Sequence, residues 1–600
     1  MVDYVPALIS TCRIVTGGQE KDSMKLKKEK IIYIALTVMA VFCGLIWSVT
    51  NIAHDCAYQI SMSWRLLSGD RMFLEMWEPH QTSAFLPAIL MWIYEKLFHT
   101  TTGIVLYLQA CGILIRGAIA FLLYKIFVKA LKKPVAYGMA LLFFMISPKD
   151  YALPEFANMQ LWYSALLFCC LYGYLRSGRR ILLAAGAVCL CLEVLAYPSC
   201  LIVYFGVIGL LAYYSENKKK DVLLFSGICA GLGSAVGGYF LLSLGPHTFR
   251  QCLEGMLALE PSHTVGMGDK LLGYLKDILK VLPVFLIVGA GGWVISRILL
   301  LFFRRAGKGT GAEKGVGTEK KQAGRQLWFL CSTGIFLTGF FLNILSAENR
   351  TAYSLIFLFL VAVGLRNVKV LAGEEKRIYL CLSVIGGLGF TATLLLSDMP
   401  LYPSAAYGLL AIIAALIPIA GGEISEGIRK GLFSCFICFV ALLAFRCVYI
   451  RTPMTGRGQI CSVLSDLSVV RVGPAWGIIT DEQGACIQRD SYPEWEEWIR
   501  PGDKVWIIGS VADTLGYLYK DMEIAGPSTM STPSYSDAVL EYWRLNPDKY
   551  PDVVVAESYM GNLAYELQTN EWLQSWLEEE YQPEQIVDGI YWKYYFRKKR

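Results

Sequence analysis

Apolar residues along this chain are gathered into long runs that are separated by short polar segments. A run near 20 residues has the length that a helix needs to cross about 30 Å of hydrocarbon. The runs lack the alternation of polar and apolar positions that is typical of membrane β-strands. We therefore predict a polytopic α-helical membrane protein. Its thirteen predicted spans are residues 31–49, 104–127, 135–147, 159–175, 181–196, 199–214, 222–242, 281–303, 327–346, 352–366, 378–396, 404–420 and 431–450.

Basic residues are concentrated in the loops on one side of these spans, at residues 25–30, 125–133, 176–180, 218–220, 304–325, 369–377 and 429–430. Cytoplasmic loops carry such an excess of Lys and Arg. The N-terminus is therefore predicted to be cytoplasmic, and the tail from residue 451 extracytoplasmic. Because no small-residue cleavage site follows the first run, we expect this run to remain as an uncleaved first span.

Two shorter segments do not fit the pattern of spans. Residues 84–98 are apolar but contain Glu95 and Lys96, and counting them as a span would reverse the charge bias of every later loop. We therefore expect this segment to form a helix in the outer membrane interface. Residues 57–69 are predicted to form a second helix of the same kind.

The composition agrees with a membrane protein, since 55% of the residues are hydrophobic and 17% are charged, with a mean hydropathy of +0.46. A soluble chain is typically about 25% charged. Outside the membrane loops there is no basic stripe with interleaved aromatic residues, so nucleic acid is not expected as a partner. Five histidines without HExxH or paired CxxC motifs disfavour a protein-built zinc site.

The pattern divides the chain into a cytoplasmic N-terminus at residues 1–30, a transmembrane region at 31–450 and an extracytoplasmic domain at 451–600. The last of these alternates strand-like and helix-like runs. Val505–Gly509 and Val553–Ala556 are predicted as buried strands, and Asp537–Leu545 and Glu571–Glu580 as helices. A small α/β domain is therefore expected at the C-terminus.

Polar side chains in the predicted outer loops are the candidates for chemistry. The loops contain His54, Asp55, Tyr58, Glu78, His80, Lys149, Asp150, Glu155, Lys270 and Arg350. Carboxylates at a membrane surface can deprotonate a hydroxyl acceptor or hold a divalent metal. Lys and Arg beside them can hold a phosphate. Together these groups indicate a transfer site for a phosphate-activated lipid whose tail stays in the bilayer.

The first outer loop has the pattern H-D-x-x-Y-Q-x-x-x-x-x-R-x-L-x-G-D from His54 to Asp70, followed by W-E-P-H-Q at residues 77–81. This resembles the D/E-x-x-Y…G-D…P stretch of the GT-C superfamily of membrane glycosyltransferases. That superfamily includes the protein O-mannosyltransferases and the lipid A aminoarabinose transferases. The resemblance extends over residues 30–200 in motif and 30–450 in topology. Residues 451–600 resemble no family of known activity.

The resemblance implies that the chain moves a sugar from a polyprenyl-phosphate carrier to a polysaccharide, glycolipid or protein outside the membrane. Asp55 matches the family acid that acts as general base or orients the acceptor. Family members that need a metal hold it with acids of the first two outer loops, which here are Asp55 with Asp150 or Glu155, so Mg or Mn is a candidate cofactor. His54 stands where many members carry a second acid, which leaves the metal requirement open.

The residue types and the resemblance together give the predicted roles of the candidate residues. The predicted catalytic residues are Asp55, Glu155 and Asp150, and the predicted substrate-binding residues are His54, Tyr58, Glu78, His80, Lys149, Arg350 and Lys270.

Simpler interpretations remain for several of these residues. Asp55 has the residue type that is favoured at a helix N-cap. Asp150 would then mark a solvated turn, Glu78 and His80 a turn around Pro79, and Arg350 a boundary charge. Two other functions also remain, a transporter or flippase for a polyisoprenoid-linked saccharide and a non-catalytic scaffold. A transporter would need more charges near the middle of its spans, where the sequence has few.

Overall fold

The computed structural model describes residues 30–50, 54–149, 151–259, 266–306, 327–328, 330–335, 337–342, 369, 371–396, 401–420, 426–451, 461–462, 467–508, 514–529, 537–559, 570–587 and 591–600. Its N-terminal part contains α1 Lys30–Thr50, α2 His54–Leu67, α3 Phe85–Phe98, α4 Ile104–Phe127, α5 Lys133–Met145, α6 Phe156–Ser177, α7 Arg180–Ala196, α8 Ile202–Tyr214, α9 Lys218–Leu244, α10 Pro246–Leu259 and α11 Met267–Ala306. It continues with α12 Leu330–Leu342, α13 Gly373–Leu396, α14 Leu401–Ser404, α15 Leu409–Ala414, α16 Leu416–Ala420 and α17 Glu426–Tyr449.

Five helices in the described part of the chain are long and apolar enough to cross a membrane, and the chain is an integral membrane protein. These helices are Lys30–Thr50, Ile104–Phe127, Lys218–Leu244, Gly373–Leu395 and Arg429–Val448, and each overlaps a predicted span. Shorter apolar helices coincide with the predicted spans at 135–147, 199–214, 281–303, 327–346 and 404–420. The spans predicted at 159–175 and 181–196 coincide with α6 and α7. The span at 352–366 lies outside the described residues, so the count of thirteen stays a prediction.

Helix boundaries follow local sequence signals. Pro134 lies in the first turn of α5, where its missing N–H leaves no helical bond unmade. Glu155 caps the N-terminus of α6, and Gly178 ends the same helix with φ +68°, a conformation that glycine adopts without strain. The segments predicted as interfacial helices are helical, as α2 and α3.

The C-terminal region is an α/β structure, as predicted. It contains β3 Leu467–Val469, β4 Ile479–Asp481, α18 Glu482–Trp498, β5 Lys504–Ile508, β6 Glu523–Ile524, α19 Asp537–Leu545, β7 Val553–Tyr559, α20 Glu571–Glu580, β8 Tyr581–Val587 and β9 Tyr591–Lys598. The short strands β1 Ile450–Arg451 and β2 Cys461–Ser462 form an antiparallel pair just before it. Five strands form one sheet in the order β6-β5-β7-β9-β8. Strand β5 runs parallel to β6 and β7, whereas β9 is antiparallel to β7 and β8.

The two faces of this sheet belong to different apolar clusters. Val505 and Ile507 of β5 pack in a cluster with Ile60 of α2 and Leu108 of α4. Trp506, by contrast, belongs to a cluster with Trp77 of the first outer loop and residues of α19 and α20. Successive residues of a strand point to opposite faces, which explains the division. The C-terminal sheet therefore shares its core with the first outer loop and the start of α4.

Helix α4 closely approaches Ala152, which lies in the second predicted outer loop at residues 148–158. A Cβ at Gly112 would lie 1.7 Å from the carbonyl oxygen of Ala152. The side-chain amide oxygen of Gln109, one turn earlier, accepts a hydrogen bond of 2.9 Å from the backbone N–H of Ala152. Gln109 of the helix thus holds the backbone N–H of Ala152, and only glycine fits at position 112.

We expect Gly112→Ala to lower the unfolding temperature in detergent, because the added methyl group must displace either the loop or the helix. Overpacking of this kind costs about 1–3 kcal/mol. Gly117→Ala is the matched control on the same helix, since its Cβ would meet its nearest neighbour, Phe144, at an ordinary 3.6 Å. Equal unfolding temperatures for the two variants would contradict the close approach.

Candidate functional site

The second outer loop is held in shape by polar side chains at its two ends. Ser147 donates a hydrogen bond of 2.8 Å to the side-chain oxygen of Asn158. The Asn158 side-chain NH₂ donates to the carbonyl oxygens of Tyr151, at 3.0 Å, and Leu153, at 2.9 Å. Buried polar groups that are satisfied in this way fix a loop in one conformation. This loop carries Lys149 and Glu155 on a rigid support.

Lys149 brings together two of the predicted catalytic acids. Its Nζ lies 2.7 Å from Oδ2 of Asp55 and 3.8 Å from Oε2 of Glu155. The Lys149 side chain is only 12% exposed, whereas the side chain of Asp55 is 35% exposed. The structure therefore assembles Asp55, Lys149 and Glu155 into one cluster, with Asp55 as its most accessible member.

Lys149 also lies over an aromatic ring, because its Nζ is 3.9 Å from the centroid of Phe156. Burial acts to lower the pKa of Lys149, but attraction to Asp55 and Glu155 outweighs it and raises the pKa above its ordinary value. A cation over a ring face gains further electrostatic attraction. Lys149 is therefore a fixed positive charge at the centre of the cluster.

Glu155 has a capping role that the sequence analysis did not predict. Its two carboxylate oxygens accept hydrogen bonds from the backbone N–H groups of Ala157, at 2.9 Å, and Asn158, at 2.7 Å. The side chain is fully buried. Burial raises the pKa of Glu155, and the positive charge of Lys149 together with these two donors acts in the opposite direction. Glu155 is thus occupied as the N-cap of α6, and its catalytic role stays a prediction.

Aromatic rings form a wall beside the cluster. His80 stacks on Phe156 with ring centroids 4.1 Å apart and an interplanar angle of 8°. It also stacks on Tyr197 at 5.2 Å, and Tyr197 lies 6.2 Å from Tyr407. His80 therefore borders the Lys149 cluster through Phe156. Tyr58, another predicted substrate-binding residue, is fully buried in the largest apolar cluster.

Gln59 connects α2 with the second outer loop. Its side-chain oxygen accepts hydrogen bonds from the backbone N–H of Phe156, at 3.2 Å, and from the hydroxyl of Ser83, at 2.9 Å. The sequence analysis assigned Gln59 no role, although it lies four residues after Asp55 in the Y-Q part of the quoted pattern. That spacing places Asp55 and Gln59 on the same side of α2, one turn apart. This contact fixes the distance between the helix of Asp55 and the loop of Lys149.

Glu78 belongs to a second buried ionic cluster, which we call the Arg65 hub and which consists of Arg65, Asp70, Glu78 and Lys549. Arg65 Nε donates to Asp70 at 2.5 Å, and Arg65 Nη1 lies 3.5 Å from Glu78. The other oxygen of Asp70 lies 2.5 Å from Lys549 Nζ. Burial raises the pKa of Glu78, and Arg65 opposes this effect.

The Arg65 hub joins the first outer loop to the C-terminal region. Glu78 accepts hydrogen bonds of 2.6 Å from the Ser528 hydroxyl and from the backbone N–H of Thr529. Arg65 itself donates to the carbonyl oxygen of Pro527 at 3.1 Å and to the Tyr542 hydroxyl at 2.9 Å. The partners of Glu78 are thus residues of this chain. Its predicted substrate contact stays a prediction.

The remaining predicted residues are not brought into the Lys149 cluster by any described contact. Asp150 and Arg350 lie outside the described residues, and the side chain of His54 is likewise outside them. Lys270 lies in the first turns of α11. The roles predicted for these four residues stay predictions.

The described residues do not fit a divalent metal. Two of the three predicted ligands, Asp55 and Glu155, share the ammonium group of Lys149, and both oxygens of Glu155 already accept amide hydrogen bonds. Mg²⁺ is bound through carboxylate and water oxygens, and here one ammonium group already pairs with both carboxylates. Among the side chains that the structure describes, no group of three His, Cys, Asp or Glu residues is close enough to hold a metal ion.

No protein-family model matches the sequence, and no curated protein matches it significantly. Several solved structures are similar. The archaeal oligosaccharyltransferase AglB from Archaeoglobus fulgidus, in complex with an inhibitory peptide and a dolichol-phosphate, is 10% identical with a TM-score of 0.38, covering 88% of this chain and 70% of that chain. The Archaeoglobus fulgidus oligosaccharyltransferase in complex with Zn and sulfate is 10% identical with a TM-score of 0.40, covering 93% of this chain and 73% of that chain.

ArnT from Cupriavidus metallidurans, bound to undecaprenyl phosphate, is 12% identical to this chain with a TM-score of 0.35, covering 95% of this chain and 98% of that chain. All of these TM-scores are below 0.5, so the likeness carries no argument about this chain.

We expect Arg65→Met to lower the free energy of unfolding by about 3–5 kcal/mol, because it leaves Asp70 and Glu78 buried without their shared cation. Arg71→Met is the control. Arg71 is 61% exposed and pairs with Glu75 in the same loop, and such surface pairs contribute about 0–1 kcal/mol. Thermal unfolding of both variants in detergent measures the difference, and similar losses for the two would contradict the structural importance of the hub.

Proposed function

We propose that this chain is a membrane glycosyltransferase that moves a sugar from a polyprenyl-phosphate carrier to an acceptor outside the membrane. The supporting observation is the pairing of Asp55 with Lys149, since the Nζ of Lys149 lies 2.7 Å from the accessible carboxylate of Asp55. This pair lies where the first and second predicted outer loops meet. A general base beside a phosphate-binding cation is the arrangement that such a transfer needs.

The carrier phosphate is proposed to bind Lys149. An ammonium group has three N–H donors, and Asp55 accepts a hydrogen bond from Lys149 while Glu155 lies at a longer distance. A phosphate that enters the cluster competes with Asp55 for these donors. Binding of the donor substrate would thereby free the Asp55 carboxylate to face the acceptor. Lys149 would at the same time neutralise part of the phosphate charge.

In the proposed reaction, the acceptor hydroxyl oxygen attacks the anomeric carbon of the sugar, and Asp55 takes the hydroxyl proton. The bond between the anomeric carbon and the phosphate oxygen breaks, and its electron pair leaves with the polyprenyl phosphate. Lys149 stabilises the charge that develops on that phosphate. Phe156 and Gln59 hold the cation and the helix of Asp55 in position through the contacts described above.

We propose that Lys149 supplies this charge in place of Mg or Mn. The described residues do not fit a metal, because Lys149 occupies the space between Asp55 and Glu155. Asp150, the third predicted ligand, is outside the described residues. No step of the proposed reaction passes through a metal ion.

The proposed orientation has residues 1–30 in the cytoplasm and residues 451–600 outside the plasma membrane. The loop charges support it through the excess of Lys and Arg on one side. A second support is that the C-terminal region packs against α2 and the start of α4, the same end of the bundle that carries Asp55. The acceptor would reach the site from the side of the C-terminal domain.

We expect Asp55→Asn to reduce transfer of sugar from a polyprenyl-phosphate donor by about 10²-fold or more, because a general base contributes that much. Lys149→Met should raise the KM for the donor and also lower kcat, because Lys149 both binds the carrier phosphate and stabilises the charge that develops on it. Glu254→Gln is the control, since Glu254 is an exposed acid of the predicted fourth outer loop whose ion pair with Arg250 lies on the surface.

Each variant is first checked for a cooperative unfolding transition in detergent, which shows that it folds. Undiminished transfer by a folded Asp55→Asn protein would overturn the catalytic role and favour a scaffold. Uptake of the lipid-linked sugar into vesicles without its consumption would favour a transporter or flippase.

We expect EDTA to leave the transfer rate unchanged, because the ammonium group of Lys149 already lies between the two carboxylates that would bind the metal. The rate is measured with purified protein before chelation, after chelation and after Mn²⁺ is added back. A loss of activity that Mn²⁺ restores would show that the predicted set of Asp55, Asp150 and Glu155 does hold a metal.

A further inference from the structure

A turn of the C-terminal region caps the start of a membrane-spanning helix. The turn comprises residues 473–477, between β3 and β4, and we call it the 473–477 turn. The backbone N–H groups of Gly103 and Val105 donate to the carbonyl oxygens of Gly473, at 3.1 Å, and Pro474, at 3.2 Å. The first N–H groups of a helix have no acceptor within the helix. Gly103 provides no side-chain cap for α4, so the 473–477 turn takes this role.

The length of α4 sets the depth of the 473–477 turn in the membrane. With 24 residues, α4 is about 36 Å long at 1.5 Å per residue. The hydrocarbon layer is about 30 Å thick, so it begins within the first turn or two of α4, and Lys125 marks the other end. A Cβ at Gly477 would lie 3.0 Å from Leu106. The 473–477 turn therefore lies where head groups meet hydrocarbon.

The C-terminal region exposes large apolar side chains in the 473–477 turn and on the strand next to it. Trp476, in the 473–477 turn, is 49% exposed, although its ring would lie 3.4 Å from a Cβ at Gly103. Leu467 and Val469 of the adjoining strand β3 are also exposed, and they share one face of that strand. Helix α3, which packs on α4, exposes Trp92 as well. Trp is enriched at the membrane–water interface, where its ring is apolar and its N–H remains hydrated.

We propose that the 473–477 turn inserts Trp476 into the lipid head-group layer, so that the C-terminal domain is anchored to the bilayer as well as to the first outer loop. Lipid is the partner that this position favours, because the capping hydrogen bonds hold the turn at the N-terminus of a membrane-spanning helix. A second copy of this chain or another protein could reach the ring only by displacing lipid there. The anchor is independent of the proposed sugar transfer.

The first test replaces Trp476 by the photoreactive residue p-benzoylphenylalanine in the full chain, reconstituted in nanodiscs of phosphatidylethanolamine and phosphatidylglycerol. Illumination should add the mass of one lipid to the peptide that contains position 476. The same replacement of Ser575, an exposed residue of α20, is the control and should give no lipid adduct. An adduct to protein at position 476, or equal lipid labelling at both positions, would overturn the proposal.

A second test uses native side chains and so does not depend on the bulky probe. Brominated phosphatidylcholine quenches the fluorescence of nearby indole rings, and the chain has 15 Trp residues. Trp476→Phe should decrease the fraction of fluorescence that the brominated lipid quenches. Trp572→Phe removes a ring that stacks on Trp576 within the C-terminal region, and it should not decrease that fraction. An unchanged fraction for Trp476→Phe would contradict contact with lipid.

Discussion

The ammonium group of Lys149 is held away from bulk water, and it remains charged because the carboxylate of Asp55 lies 2.7 Å away. Removing Lys149 would leave the carboxylate of the fully buried Glu155 without a compensating cation, whereas Asp55 at 35% exposure stays partly hydrated. The elements around this pair serve to keep that distance. Gln109 and Gly112 hold the loop on α4, Gln59 links the loop to α2, and Asn158 braces it from α6. Four elements of the fold thus meet at one ion pair.

The two buried ionic clusters differ in what they leave available. In the Arg65 hub the side chains of Arg65, Asp70 and Glu78 are buried, that of Lys549 is 13% exposed, and each is matched by groups of the same chain. In the Lys149 cluster the side chain of Asp55 is 35% exposed, so a substrate can approach it. A network whose charged groups are all paired within the chain is suited to joining two parts of a protein. An accessible ion pair, by contrast, can exchange one partner for a ligand. This contrast supports chemistry at Asp55 and a structural role for Arg65.

The local pattern of polar and apolar residues was enough to predict several helices and strands. The helices Asp537–Leu545 and Glu571–Glu580 have the predicted bounds, and the strands β5 and β7 lie where they were predicted. The grouping of Asp55, Lys149 and Glu155 also follows from the order of the loops, because outer loops of neighbouring spans end at the same membrane face. These features depend on periodicity and on the positions of charges, both of which a single sequence contains.

Other features of the site depend on distant contacts that no local pattern encodes. The two hydrogen-bond donors of Glu78, Ser528 and Thr529, are 450 and 451 residues away along the chain, and no local pattern pairs them with it. The N-cap role of Glu155 depends on the exact residue at which α6 begins. Helix ends are defined only to within about one or two residues, so a cap residue is not predicted from local pattern. The stacking of His80 on Phe156 likewise depends on the packing of the first loop against α6. Tertiary packing, rather than residue type, decides these roles.

The long separation within the Arg65 hub has a consequence for biosynthesis. Arg65 and the carbonyl of Pro527 are 462 residues apart. At about 5–20 residues per second, the ribosome needs about 20–90 s to add that length of chain. During that interval the first loop has left the ribosome while its guanidinium, and the carboxylates around it, still lack their final environment. The nascent loop must therefore stay hydrated, or be held by a chaperone, until the C-terminal sheet has emerged and closed over it.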